Sequence, residues 1–414
     1  MAPRVRVILG AAVFAYFVSV LERSSMGVAS LNAAERFHVG AAALSSLAVA
    51  QLVVYAAMQI PTGLLLDRFG ARSLIVAGSL LTGSGNLVVA IAPQMSLAVI
   101  GRMTVGLGDA LVFVSMIRLI NGWAPGTRAT RYTQLFANIG QLGQIASAVP
   151  FAYLLGFAGW TPAFVATSSI AFAAAAIGLV FLKNEPNSVL RTPERRALQQ
   201  LLENIRDPNT RTAFWVHFTL QSSGSSFILL WGYPFMVQGE GLPKPLAGLL
   251  LSSFVFIGFF VGPLLSHICI TFPRQRHVLV TAIYALMVAS WLVILITPGT
   301  NPLWQIVLLV LSIGIGGPAS MIAFDYSRTS IPLYRLGSTN GIINSGGFVA
   351  SFSCMFLVGF ILDAVHEHRI LGAANLYSLA AFKLAFPVEL VIISAGLVFF
   401  FVERTKTRGI NSNG

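Results

Sequence analysis

The sequence predicts an all-α membrane protein of twelve transmembrane helices, arranged as two six-helix bundles in parallel pseudo-symmetry. Three observations predict this. The 414-residue chain is 56% hydrophobic and only 10% charged, whereas soluble chains average about 25% charged residues. So little polar surface cannot cover a water-soluble fold of this size. Apolar stretches recur along the whole chain, each about the 20 residues that a helix needs to cross a bilayer. The cations alternate from loop to loop, one side rich and the other poor.

The apolar segments fall at 7–28, 42–64, 73–92, 96–120, 132–156, 160–182, 212–236, 246–270, 278–297, 303–325, 338–362 and 380–402. They lack the period-two alternation of strands, and unpaired backbone in lipid is prohibitive. The first segment follows Arg4 and Arg6 as a signal peptide would. Its length, the Glu22-Arg23 pair inside it and the eleven spans behind it predict an uncleaved helix. With the N-terminus inside, nineteen Lys and Arg fall in inside loops and three (Arg36, Lys244, Arg369) in outside loops. This positive-inside split predicts a multi-pass protein of the cell membrane with both termini in the cytoplasm. It also accounts for the net charge of +12 without nucleic acid as a partner.

The longest inside loop, 183–211, separates an N-terminal bundle, 1–182, from a C-terminal bundle with a short cytoplasmic tail, 212–414. Thr192 and Pro193 are suited to open a helix there, and Leu198, Leu201, Leu202 and Ile205 form an apolar stripe. The stripe predicts an amphipathic helix on the inner membrane surface, with lipid as its partner. Asp207-Pro208 ends that helix. Cys269 and Cys354 lie in apolar segments and read as small core residues. No metal cluster, nucleophile triad or phosphate loop appears, so neither an enzyme, a cofactor nor ATP drive is expected.

The halves repeat. The fourth span ends Arg118-Leu-Ile-Asn121-Gly-Trp-Ala-Pro125, and the tenth ends Asp325-Tyr-Ser-Arg328-Thr-Ser-Ile-Pro332. Asn138-Ile-Gly140 in the fifth answers Asn344-Ser-Gly346 in the eleventh. Six spans separate the copies, so both have one membrane orientation.

The loop after the second span reads Gly63-Leu-Leu-Leu-Asp67-Arg68-Phe69-Gly70-Ala71-Arg72. It resembles the major facilitator superfamily signature G-x-L-x-D-R-x-G-x-R, at the place where that family carries it. Gly70 permits a tight turn, and Asp67 suits a helix N-terminus. The resemblance implies a gating latch made by Gly63, Asp67, Arg68, Gly70 and Arg72, with Arg118 as a partner, and it places Asp67 near Leu336–Thr339. Gly262-Pro-Leu-Leu-Ser266-His267 in the second half has lost the acid, so the latch is one-sided. Arg102-Met-Thr-Val-Gly106-Leu-Gly108-Asp109-Ala110 resembles the family's R-x-x-x-G-x-G-x-A motif, with Asp109 where a small residue is usual. Asp325-Tyr-Ser-Arg328 and Asn340 to Phe348 resemble bacterial permeases grouped with lysosomal dipeptide carriers. The Asn-Gly pattern also resembles nitrate carriers. Their paired anion-holding arginines are missing, because span two carries Gln51, Tyr55 and Gln59 instead.

Ionisable residues within a membrane are costly and mark candidate sites. Glu22 and Arg23 lie roughly 22 Å above the inner end of span one, and Arg102 on span four comes to roughly the same depth. Spans one and four are neighbours in the family, so a Glu22–Arg102 pair is expected. Asp109 follows Arg102 by seven residues, on the same helical face. Polar stripes on span two (Gln51, Tyr55), five (Asn138, Gln141), seven (His217, Gln221) and eleven (Asn344) are expected to face a cavity or to bond neighbouring helices. The reading is a secondary transporter, expected to be a monomer, that moves a small polar organic solute by alternating access, with protons as a possible coupling ion. Paired acid and base groups favour a peptide-like or amino-acid-like substrate. Proton-driven efflux of drugs or metabolites is the alternative, weakened by the lack of a G-x-x-x-G-P motif in span five. A membrane sensor or scaffold that moves nothing is the alternative of another class.

Overall fold

The computed structural model describes residues 3–123, 127–184, 197–331, 336–370 and 375–412, and these are helical with short turns. Span one is Pro3–Phe37. Spans two and three share Ala41–Ile91 and are parted at Gly70, whose φ of 76° strains any residue with a Cβ. That is the tight turn expected of the signature loop. Span four is Met95–Trp123. Span five runs Thr127–Ala146, relaxes into a π-helical turn at Ser147–Phe151 around Pro150, and ends as Ala152–Ala158. Span six is Trp160–Phe181.

The linker helix is Ala197–Arg206. Leu202 and Ile205 stay exposed while Asn204 is buried, its amide donating to the Ser338 hydroxyl at 2.6 Å. Thr192 and Pro193 lie outside the described residues. The Asp207-Pro208 pair does more than end this helix. The Asp207 carboxylate accepts from the backbone N–H of Asn209 at 2.8 Å and of Thr210, with Pro208 at the first helical position, and so caps span seven.

Span seven runs Pro208–Ser226 and continues through π-helical turns at Phe227–Trp231 and Phe235–Gly239. Span eight is Lys244–Thr271, nine Arg276–Ile296, ten Leu303–Ser320 extended by Ile322–Ser330, and eleven Leu336–Glu367. Span twelve is Leu379–Ala385 followed by Pro387–Ser412. Ten of these stretches are long and apolar enough to cross a membrane on those criteria alone. Spans five and seven complete the twelve. They miss the threshold because they carry amides, serines and His217 along their length.

The chain forms two units, one of Met1–His38 with Ser46–Glu194, the other of Val39–Ser45 with Arg195–Gly414. Within the first, span one packs against spans four, five and six; within the second, span seven packs against ten, eleven and twelve. The partners are the same six spans on. Gly140 lies against the Tyr16 ring of span one, and Gly346 lies against Phe214 of span seven. Both glycines of the repeated Asn-x-Gly triplet therefore do the same job, letting an aromatic side chain of the first helix of each bundle come close.

The second glycine motif is a packing device as well. Gly106 lies against the Gln51 backbone of span two, and a Cβ on Gly108 would stand 2.7 Å from the Thr82 nitrogen of span three. Small residues are what allow such close backbone approach between membrane helices. Gly108→Val is expected to lower stability by about 1–3 kcal/mol, the usual cost of overpacking. Thermal unfolding of the purified protein checks this, with Gly258→Ala, where nothing lies within 4 Å, as the silent control.

Candidate functional site

Charged side chains of two spans, one and four, converge inside the first unit. Span one presents Tyr16, Ser19 and Arg23 on one face, at i, i+3 and i+7. Span four presents Arg102 and Asp109, seven residues apart, on one face as well. The ion pair joins Arg23 to Asp109, Nη1 to Oδ2 at 3.2 Å. The Ser19 hydroxyl donates to the other Asp109 oxygen at 2.5 Å. The Arg23 guanidinium also lies over the Tyr55 ring of span two, 5.8 Å from its centroid. Gln141 of span five donates to the Tyr16 hydroxyl at 3.1 Å. The Arg23 side chain is 15% exposed against 1% for Asp109, so the cation is the less buried member of the pair.

Arg102 has a different role from the one the sequence suggests. Its Nη1 donates to the Glu22 carbonyl at 3.2 Å and to Asn86 Oδ1 at 3.3 Å. Its Nη2 donates to the Arg23 carbonyl at 3.1 Å and to Gln51 Oε1. The expected Glu22–Arg102 pair is thus a bond to the Glu22 backbone, and the direct ion pair belongs to the next residue. Consecutive helical residues point about 100° apart, so only one of Glu22 and Arg23 can share the face of Tyr16 and Ser19. Arg23 takes it. Glu22 is fully buried, and neither carboxyl oxygen has a hydrogen-bond partner among the described residues. The field of Arg102 reaches it, and Thr167 of span six lies beside it. The Thr167 hydroxyl gives its hydrogen to the Phe164 carbonyl.

Of the sequence candidates, Glu22, Arg23, Gln51, Tyr55, Arg102 and Asp109 form this one network, with Gln141 reaching it through Tyr16. Asn138, half-buried, lies one turn from Gln141 on span five. His217, Gln221 and Asn344 belong to the second unit. The His217 ring is buried against Gly347 and 5.5 Å from the Phe324 ring, with neither nitrogen hydrogen-bonded among the described residues. Gln221 donates to Ser225 at 2.7 Å and accepts from Ser320 at 3.0 Å. In the signature loop, the Arg72 amide donates to Asn184 at 2.9 Å and its guanidinium to the Leu179 carbonyl at 2.7 Å, tying the loop to the end of span six. Arg68 lies over the Phe69 ring. The side chain of Asp67, and with it the contact expected near Leu336–Thr339, lies outside the described residues.

The sequence reading missed Tyr16, Ser19 and Asn86. The first two carry a signal, because they share the helical face of Arg23. Asn86 is a lone amide in span three, without a pattern to mark it.

The Major Facilitator Superfamily model matches residues 12–355. Among curated relatives, the probable galactarate/D-glucarate transporter GarP of Escherichia coli is 22% identical, over 84% of this chain and 86% of that one. A putative tartrate transporter of Agrobacterium vitis is 23% identical, over 92% and 91%. A probable sulfoacetate transporter, SauU of Cupriavidus necator, is 27% identical over a shorter stretch, 44% of this chain and 42% of that one. Among solved structures, a bacterial homolog of the human lysosomal transporter Spinster, in an inward-facing and unoccupied conformation, matches with a TM-score of 0.76 at 13% identity, covering 97% of each chain. At that identity the likeness is one of fold.

Proposed function

This chain belongs to the major facilitator superfamily, and from that membership we propose that it is a proton-coupled carrier of a small organic anion, such as a sugar acid or another carboxylate or sulfonate. That it is a membrane-embedded secondary transporter of a small molecule, and not an enzyme, follows from the family and its relatives. The observation that carries the finer reading is the Arg23–Asp109 pair. A guanidinium presents a planar fork that matches a carboxylate or sulfonate. Here the cation is the less buried member of the pair, at 15% against 1% for its resident partner. When Asp109 takes a proton, its hold on Arg23 weakens and a substrate anion can replace it. One carboxylate or sulfonate group and one proton then enter together, and a dianion such as galactarate or tartrate brings a second proton if no net charge is to be placed in the membrane interior. Tyr55, stacked on the guanidinium, and the Gln141–Tyr16 bond supply polar edges for hydroxyl groups. The relatives named for galactarate, glucarate, tartrate and sulfoacetate all concern organic anions. They move the reading away from a peptide-like solute.

In this reading both termini lie in the cytoplasm, which the loop charges favour, and the loop from Gly63 to Arg72, with Arg118, acts as the latch during alternating access. Thermal shift of the purified protein tests the substrate class. A ligand that binds only the folded state raises stability by about 2.7 kcal/mol at a hundredfold excess over its Kd. Galactarate, tartrate or sulfoacetate should stabilise, more strongly as pH falls, and a neutral hexose or a dipeptide should not. Equal stabilisation by the dipeptide would overturn the assignment. Counterflow in proteoliposomes separates a carrier from a sensor, which would bind without flux.

A further inference from the structure

Another buried acid lies in the other unit, far along the chain from the site above. Glu389 sits in the first turn of the long segment of span twelve, Pro387–Ser412, and is 1% exposed. Its Oε2 has no hydrogen-bond partner among the described residues. Ser223 and Ser226 of span seven and Cys354 of span eleven surround the carboxyl. The Cys354 thiol is the ionisable group that faces it. Span seven offers hydroxyls, and span nine offers the Trp291 indole, which donates to Ser223 Oγ at 2.8 Å. The Tyr284 hydroxyl of span nine is paired with Ser394 at 2.8 Å. No Lys, Arg or His forms an ion pair with Glu389 among the described residues.

Phe235, Phe382, Phe386 and Trp291 pack as an aromatic cluster beside the acid, with ring centroids 4.7–5.6 Å apart. In the other direction, Thr219, Ser223 and Ser226 recur at i, i+4 and i+7 on span seven, hence on one face. That face meets span twelve at both ends of the run, since Gly396 lies against the Thr219 hydroxyl and Glu389 lies beside Ser226. The ladder spans about 10 Å by helical rise. Ser223 accepts from Trp291, and the Thr219 hydroxyl gives its hydrogen to the Trp215 carbonyl at 2.8 Å. Both helices leave regular geometry at this point. Span seven turns π-helical at Phe227, and span twelve is interrupted at Phe386. π-turns are frequent at functional sites.

We propose that Glu389 is a second proton-binding site of the transporter, lined by the Ser226 and Ser223 hydroxyls of span seven. It takes up and releases a proton independently of the Arg23–Asp109 pair. A buried carboxyl that, among the described residues, has an unbonded oxygen and no ion pair, with hydroxyls beside it, is built to exchange a proton, whereas a purely structural acid would be fully bonded.

Infrared difference spectroscopy of the full-length protein in lipid, titrated with pH in the absence of substrate, tests this. The expected result is a protonated-carboxyl C=O band that grows reversibly as pH falls and is lost in Glu389→Gln. Ser226→Ala and Cys354→Ala should keep the band but shift its frequency and midpoint, and these milder variants decide the question if Glu389→Gln does not fold. A Glu389 band unchanged across the pH range would mark a permanently protonated structural acid and overturn the proposal. So would the lack of any band sensitive to these variants. Because the measurement needs no substrate, its outcome is independent of which anion is carried.

Discussion

Arg23→Gln is expected to abolish uptake of the organic anion in proteoliposomes while leaving a folded, monodisperse protein. Glutamine keeps the length and polarity of the side chain but removes the charge and the fork. Hydrogen bonds to a charged group contribute about 1.5–3 kcal/mol each. Losing one or two of them weakens binding on the order of a hundredfold. Fold should survive because Arg23 is the less buried member of its pair and its backbone carbonyl, which Arg102 uses, is unchanged. Arg23→Lys should retain a fraction of uptake, since it restores charge without the planar fork. Asp109→Asn provides the complementary test. It releases Arg23 permanently, so the anion binds without help from a proton and its affinity loses its pH dependence. Exchange of internal for external substrate should continue, and accumulation driven by a proton gradient should cease. Reciprocity requires this. If the proton on Asp109 raises anion affinity, the anion must raise proton affinity equally, and removing the acid removes both. Retained accumulation in Asp109→Asn would assign coupling elsewhere.

The architecture was legible because lipid imposes few solutions. A span needs its apolar length, and a basic loop needs its side of the membrane, so both leave marks in one-dimensional order. The repeated Asn-x-Gly triplets were legible for a packing reason, an aromatic ring held against Gly140 and Gly346. Partner choice within the site was less legible. Depth along a helix placed Glu22 and Arg102 level, and they are neighbours, but depth carries no azimuth. The 100° between Glu22 and Arg23 decided which side chain meets Asp109. Ser19 and Tyr16 became visible only once that face was chosen. Glu389 had no explanation in the sequence because its partners come from spans seven and eleven, more than thirty residues away in either case. The substrate class was the weakest inference. Paired acid and base groups suit a zwitterion, but here the base is the less buried of the two, an asymmetry that only burial reveals.

Arg102→Met is expected to cost the fold itself. The Arg102 side chain is buried and makes four bonds, to the Glu22 and Arg23 carbonyls, Asn86 and Gln51. It thereby ties span one to spans two, three and four. Breaking a buried charged network by removing one member typically costs about 3–5 kcal/mol, a large share of the about 5–15 kcal/mol that holds a typical domain. The variant should show a large fall in thermal midpoint or fail to leave detergent extraction as a monodisperse species. Arg102→Lys should recover little, because one ammonium cannot reach four acceptors set in a planar fork. The double variant separates two accounts of the residue. If Arg102 existed to neutralise the Glu22 carboxylate, Glu22→Gln would restore much of the stability lost in Arg102→Met. The geometry gives the opposite expectation. Arg102 bonds the backbone of Glu22, and Asn86 Oδ1 and Gln51 Oε1 lose their Arg102 donor whatever the side chain at 22. Glu22→Gln alone should therefore fold, and the double variant should be no more stable than Arg102→Met. Substantial rescue in that double variant would reinstate the Glu22–Arg102 ion pair as the organising contact.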